Sequence, residues 1–447
     1  MGDMFTVPKI DIPTPPLSRR DLLALAAASG ALAAVGPGRA IAAPVETSAR
    51  IAIVGGGAAG TSIASRLAAM TSGATITLMD ARKDHYFQPG YTLVGSGVWS
   101  ADQVVTPQAQ FIADGVTWIE AHAAEIDPET KRVTATTGET VDYDYLVIAT
   151  GLKLNYDAIP GMSEDLIGKD GITSIYAGPE AAAASWNAMQ TFVETGGVGL
   201  FGRPPTEMKC AGAPLKYTFL ADDHLRRAGN RGSAELIYNA HNQTVFAVPV
   251  VHDRVLEIFS ERDISVNWAH NLVAIEPGGK VATYATEDGT VDIDYDFIHI
   301  IPPMSAPDVV RNSSLPWQEG AWGEEGWIEV DPVTLQHVRY PEVFGVGDIN
   351  GVPKGKTAAS VKWQAPVVAE NMIAMIAERE MTAGYNGYTS CPMVTGVGKA
   401  MLIEFDYDGN LMKSFPFIDP LKEMWLSWLI EEKALLPAYN TMLRGMA

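Results

Sequence analysis

With 447 residues, 47% of them apolar, the chain is long enough for two or three domains and too apolar to be disordered. Its formal net charge of −21 argues against binding to nucleic acid and against loose electrostatic adhesion to anionic lipid. Any contact with a membrane must therefore rest on apolar surface.

The first predicted element serves targeting. Ser18-Arg19-Arg20-Asp21-Leu22-Leu23 is a twin-arginine pattern, an uncharged Ala-rich stretch runs from Leu22 to Gly38, and Ala40-Ile41-Ala42 supplies small residues for cleavage. The alternative is an N-terminal anchor, but the stretch falls short of the ~20 strongly apolar residues of a spanning helix. We therefore expect residues 1–42 to be a twin-arginine signal, the mature chain to start near Ala43, and the protein to work in the periplasm. Twin-arginine export carries folded proteins, which suits a chain that takes up a bulky cofactor first. Removing this segment takes away four basic and three acidic residues, so the acidic balance survives.

The mature chain opens on a dinucleotide fold. Arg50 to Val54 reads as a short buried parallel strand, Gly55-Gly56-Gly57-Ala58-Ala59-Gly60 follows at once, and Thr61 to Met70 reads as a helix. A second strand, Ala74 to Met79, ends in Asp80, at the distance past the last glycine where a ribose-binding acid belongs. Gly55 permits the tight turn, Gly57 lets the backbone approach a pyrophosphate, and Gly60 lets helix and strand pack closely. With Ala59 in the turn, the helix start offers unpaired N–H groups to phosphate, and Asp80 can accept from a ribose hydroxyl. Further on, Tyr145 to Ile148 runs into Ala149-Thr150-Gly151, and Val343-Phe344-Gly345-Val346-Gly347-Asp348 ends in an acid before a predicted helix.

These three segments together resemble the two-dinucleotide-domain flavoproteins, which include the glutathione reductase-like enzymes. The resemblance implies an α/β fold of two Rossmann-like domains, FAD as cofactor, Thr150 and Gly151 lying along it, and Asp348 bonding its ribityl–pyrophosphate region. The matching first strand of a second nucleotide site, Gly197 to Phe201, runs instead into Gly202-Arg203-Pro204-Pro205. Two prolines contribute no N–H and cannot form a phosphate-cradling turn. NAD(P)H is therefore expected to be neither donor nor acceptor.

The chain has two cysteines. Cys210 lies in Lys209-Cys210-Ala211-Gly212-Ala213-Pro214, ahead of a helix predicted from Pro214 to Ala228, where the helix N-terminus and Lys209, Lys216 and Arg203 would stabilise a thiolate. Cys391 lies far away in Tyr388-Thr389-Ser390-Cys391-Pro392, and no C-x-x-C or C-x4-C spacing exists. One reading is a structural disulfide, which by chain entropy could stabilise by about 5 kcal/mol; the other is redox catalysis, with both cysteines as catalytic residues. Glu207, close to Cys210, reads as a solvated carboxylate with a general base as the alternative. His224, His241, His252 and His299 are dispersed without metal-ligand spacing, so no metal is expected.

The cysteine segments, with Ile301-Pro302-Pro303-Met304-Ser305-Ala306-Pro307-Asp308, His85-Tyr86-Phe87-Gln88-Pro89, Thr334-Leu335-Gln336-His337 and Met442-Leu443-Arg444-Gly445, resemble the two-cysteine, mitochondrial-type sulfide:quinone oxidoreductases over nearly the whole mature chain. That resemblance implies oxidation of sulfide to sulfane sulfur, electron transfer to quinone, and a sulfur acceptor such as sulfide, sulfite or a thiol. It implies that Cys210 faces the flavin and Cys391 carries the persulfide. The third cysteine of other branches is missing, so FAD is expected to be non-covalent. Lys356 and Thr357 open a helix expected to point at the flavin pyrimidine edge. Two other readings are the flavin subunit of a flavocytochrome c sulfide dehydrogenase and a type-II NADH:quinone reductase-like flavoprotein.

The last predicted element is a helix from Leu421 to Leu436, whose apolar positions Leu421, Met424, Trp425, Trp428 and Leu429 recur at helical spacing. It reads equally as core or as an interfacial helix; the resemblance favours a monotopic contact on the outer face of the membrane. The expected domains are residues 43–152 and 296–375 for FAD, 153–295 for a second Rossmann-like unit without a nucleotide site, and 376–447 for the quinone and membrane region.

Overall fold

The computed structural model describes residues 43–446. The expected targeting segment, residues 1–42, lies outside them. Four strands come first: β1 (Arg50–Val54), β2 (Thr75–Met79), β3 (Val116–Ile119) and β4 (Tyr145–Ile148). The next five are β5 (Ile172–Thr173), β6 (Gly197–Gly202), β7 (Ala234–Asn239), β8 (Ile264–Asn267) and β9 (Phe297–His299). Then β10 (Val343–Gly345) returns to the first sheet. The spatial orders are β10-β4-β1-β2-β3 and β5-β9-β6-β7-β8, and both sheets are wholly parallel. Their short runs of Ile, Val and Leu are buried, as in sheets covered on both faces.

Crossover helices supply that cover: α1 (Ala58–Met70), α2 (Pro179–Thr195), α3 (Ala213–Arg227) and α4 (Pro249–Glu261). The long α5 (Ala358–Ile376) follows β10 and packs against α1. Helix α1 begins three residues before the expected Thr61, so the last residues of the glycine motif form its first turn. Two antiparallel three-stranded sheets, residues 123–142 and 271–294, cap the parallel ones.

The C-terminal region adds a hairpin, β11 (Thr389–Gly396) and β12 (Lys399–Phe405), and a helix in three parts. These parts are α6 (Trp425–Leu429), a π-helical turn (Ile430–Ala434) and α7 (Leu435–Leu443). The helix starts four residues later than expected and runs seven further. Its role also differs from an exposed amphipathic helix. Trp428 and Leu429 are each 3% exposed and therefore belong to the core, while Trp425, Leu435 and Leu436 are half-buried. The cause is packing on both sides: α6 lies on β12, and α7 is seated on α1, where Ser62 Oγ donates to Met442 O (3.0 Å) and Ser65 Oγ to Leu443 O (2.8 Å). Among the described residues no helix is long and apolar enough to cross a membrane.

Candidate active site

The turn after β1 forms one wall of a cavity between the two sheets. Gly55 has φ +103°, and a Cβ there would stand 2.4 Å from Ala149 O. A Cβ on Gly60 would stand 1.7 Å from Gly55 O, so α1 can lie against the turn only without a side chain there. Gly57 faces the other way: its Cβ would meet only the end of Arg82, 3.6 Å off, and the residue lines the cavity with Ala59. Asp80, buried, holds the turn from behind. Its Oδ2 accepts from Gly56 N and from Arg82 Nη2 (2.8 Å), and its Oδ1 accepts from Arg82 N (2.8 Å) and Nε (3.1 Å). Although burial opposes it, the Arg82 guanidinium keeps the carboxyl below its ordinary range. All four acceptor positions are filled, so a ribose hydroxyl would have to displace Arg82, which the sequence reading passed over.

Opposite lie Thr150, Gly151, Asp348, Lys356 and Thr357, all lining the same cavity. Lys356 Nζ donates to Asp348 O and Asn350 O, both at 2.7 Å, and sits 3.7 Å over the Trp327 ring. It thereby pins the loop after β10; burial lowers its pKa to about 8. Thr357 caps α5, its Oγ1 accepting from Ser360 N at 3.1 Å, so the helix start faces the cavity. Two features mark space shaped for a bound group. Thr150 Oγ1 is buried without a hydrogen-bond partner, and a Cβ on Gly151 would meet no atom within 4 Å. A glycine cradle, an orphaned hydroxyl and a capped helix start fit a dinucleotide.

The two cysteines meet at the end of this cavity, both as free thiols, Cys210 half-buried and Cys391 buried. Gly212 makes the approach possible, since a Cβ there would stand 2.1 Å from Cys391 Sγ. Cys210 sits at φ +47°, a sparsely populated backbone conformation for a residue with a side chain. It is clamped there: its N–H donates to Lys356 O (2.9 Å), and its carbonyl accepts from Tyr176 Oη (3.0 Å). The neighbouring Cys391 thiol, followed by the field of Lys216, holds Cys210 below the ordinary thiol range against the effect of burial. Cys391 goes the other way, well above the ordinary thiol range, because it neighbours Cys210 and is buried. Cys210 is thus the more acidic of the two thiols and the one suited to be a thiolate.

Lys216 reaches the pair from α3, 3% exposed, with Nζ 3.5 Å from Oε1 of Glu431, itself 2% exposed. Glu431 holds the ammonium protonated despite burial, while burial raises Glu431 itself. Glu431 Oε2 has no partner and its residue lines the cavity. Glu431 stands three residues after the buried Trp428, so helical spacing puts both on one inward face. Of the other cations expected at the thiolate, Lys209 directs Nζ to Gln88 Oε1 at 2.7 Å, and Arg203 lines a separate cavity. Glu207 is half-buried rather than solvated, its N–H donating to Glu325 Oε1 at 3.3 Å. Among the described residues no group of three or more His, Cys, Asp or Glu could hold a metal ion.

Residues 49–187 match the family model described as pyridine nucleotide-disulphide oxidoreductase. In fold, the chain is similar to the sulfide:quinone oxidoreductase of Aquifex aeolicus, with a TM-score of 0.72, 21% identity, and 88% of this chain and 92% of that one covered. The mitochondrial sulfide:quinone oxidoreductase of Mus musculus is 37% identical over 399 residues, covering 88% of this chain and 86% of the relative. That of Dictyostelium discoideum is 37% identical over 398 residues, with 89% and 86% covered. Since that similarity spans most of both chains and the second domain keeps no nucleotide turn, the chain belongs to the sulfide:quinone oxidoreductase family.

Proposed function

We propose that this protein oxidises sulfide to sulfane sulfur and passes the electrons through FAD to membrane quinone. One observation carries the reading: two cysteines from distant segments come together, across Gly212, at the end of the cavity that holds the glycine cradle and the Gly347-Asp348 turn. Gly57, Ala59, Thr150, Gly151, Asp348, Lys356 and Thr357 would hold the cofactor, and Gly55, Gly60 and Asp80 would shape the turn that cradles it. When bound, FAD supplies two-electron redox chemistry, accepting from sulfur and donating to quinone.

The chain's own residues do the sulfur chemistry. Lys216 draws the hydrosulfide anion toward the buried pair. Hydrosulfide attacks the bridge formed by Cys210 and Cys391 when oxidised; its sulfur bonds to Cys391 as the S–S bond breaks, and Cys210 leaves as thiolate. The acidity of Cys210 suits it to leave, because a lower-pKa thiol departs faster. Cys391 keeps the persulfide until a second nucleophile, sulfide, sulfite or a thiol, takes the outer sulfur. The clamp on the Cys210 backbone keeps its sulfur aimed into the cavity throughout.

Neither cysteine is spare for a link to the flavin, which supports non-covalent FAD. The twin-arginine pattern supports periplasmic work on the outer face of the membrane. Attachment rests on the loop that packs on the C-terminal helix, where Phe417 is 68% exposed beside the buried Phe415 and Ile418. The test is steady-state reduction of a short-chain quinone by the purified protein. Sulfide should support turnover, NADH and NADPH should not, and Cys210→Ser and Cys391→Ser should each abolish it while keeping the flavin spectrum. NADH-driven turnover at a rate comparable to sulfide's would overturn the reading.

A further inference from the structure

A second cavity, of about 170 Å³, opens at the carboxyl ends of β6, β7 and β9, where a second nucleotide would bind in a doubly wound sheet. Gly202 opens it, and Pro204 and Pro205 take away the N–H groups that would cradle a pyrophosphate. The space nonetheless keeps polar side chains that the sulfur chemistry does not use.

Arg203 lines it, and its Nε has no hydrogen-bond partner. The ionisable neighbours that feel its charge are Tyr176, Tyr238 and His241, and no Asp or Glu lines the cavity. His299, 3% exposed, lines it as well. Its Nε2 accepts from Ile175 N at 3.4 Å, which leaves the ring proton on Nδ1, and Nδ1 has no partner. Burial keeps this ring neutral, with its pKa lowered to about 3. Tyr284 is a third donor. Its hydroxyl oxygen accepts from Asn239 Nδ2 at 3.2 Å, so its own proton can turn into the cavity. His270 spends Nδ1–H on Trp268 O at 2.8 Å and offers Nε2.

We propose that this cavity is a binding site for a small oxyanion of the sulfate or sulfite type, held by Arg203, His299 and Tyr284. A permanently charged guanidinium, two unspent donors and no lining carboxylate call for a ligand that accepts hydrogen bonds and carries negative charge. The volume is close to that of a cavity known to take a benzene-sized guest, and below the ~300 Å³ at which sites for drug-sized ligands begin, which excludes a dinucleotide.

The test titrates the FAD-loaded full chain by calorimetry with sodium sulfate, phosphate and sulfite, against chloride at the same ionic strength. One saturable equivalent per chain is expected. Arg203→Gln should weaken it about tenfold or more and Tyr284→Phe about threefold, both with the native flavin spectrum. Sulfite binding more tightly than sulfate ties the site to the sulfur acceptor; equal affinities make it a general oxyanion site; both uphold it. No saturable heat from any of the three overturns it, as does binding lost once Cys210 is alkylated, which would place the anion at the thiols. Should Arg203→Gln fail to hold flavin, unaltered affinity in Tyr284→Phe refutes the assignment.

Discussion

Removing the Cys391 thiol should raise the titration midpoint of Cys210. The neighbouring Cys391 thiol is the foremost reason that Cys210 lies below the ordinary thiol range, with Lys216 next among the lowering causes and burial opposing. In Cys391→Ala the field of Lys216 remains against burial and against the charge of Glu431, so the midpoint should climb toward the ordinary thiol range. The assay is alkylation of the reduced, FAD-loaded protein by iodoacetamide across pH, with each cysteine followed by peptide mass spectrometry. The midpoint is the right readout, because a less acidic thiolate is also more nucleophilic and a rate at one pH would understate the change. Lys216→Met should move the midpoint the same way by less. It should also destabilise the fold by about 3–5 kcal/mol, since it leaves Glu431 buried and unpaired. An unchanged midpoint in Cys391→Ala, or preferential labelling of Cys391 at neutral pH in the native protein, would refute the reasoning.

Gly212→Ala should cut sulfide-dependent turnover by at least about tenfold while flavin stays bound, because its Cβ would stand 2.1 Å from Cys391 Sγ and must push the two sulfurs apart. Wild-type turnover in that variant would show that the close approach is dispensable. Acid or heat should release all the flavin and leave the chain non-fluorescent on a denaturing gel; flavin that stays with the chain would force one cysteine out of the sulfur pathway. Phe417→Asp should lower the affinity for quinone-containing vesicles about thirtyfold in flotation, as expected from losing an insertable phenyl ring at about 2 kcal/mol. Truncation before Leu421 is the poorer test, since it would also strip Met442 and Leu443 from Ser62 and Ser65 of the cofactor domain. Undiminished flotation of Phe417→Asp would move the attachment elsewhere.

Local geometry was legible in the sequence wherever one backbone position left a single admissible residue. Gly55 and Gly60 are such positions, and their roles in the turn and in helix packing follow from the absence of a Cβ. The Pro204-Pro205 stop was legible for the same reason. What the sequence hid depends on contacts between distant segments. Asp80 reads as a ribose ligand until Arg82, two residues on, fills its carboxylate. Gly212 gave a faint signal of the cysteine meeting, but a glycine before a helix has ordinary explanations, and the sulfur it admits arrives from β11. The terminal helix misled for a different reason. Its apolar spacing was real, but a 3.6-residue period cannot register a π turn, which rotates every later side chain. The cavity beyond Arg203 was equally hidden, being assembled from the ends of several strands of one sheet.

The central claim is that electrons run from sulfide through the cysteine pair and FAD to quinone, with no nicotinamide involved. An anaerobic titration of the purified protein followed in the visible spectrum tests it most directly. Sulfide should bleach the oxidised flavin bands, and a soluble quinone added afterwards should restore them, whereas NADH and NADPH leave the spectrum unchanged. Rapid bleaching by NADH, or a flavin that sulfide cannot reduce, would contradict the account.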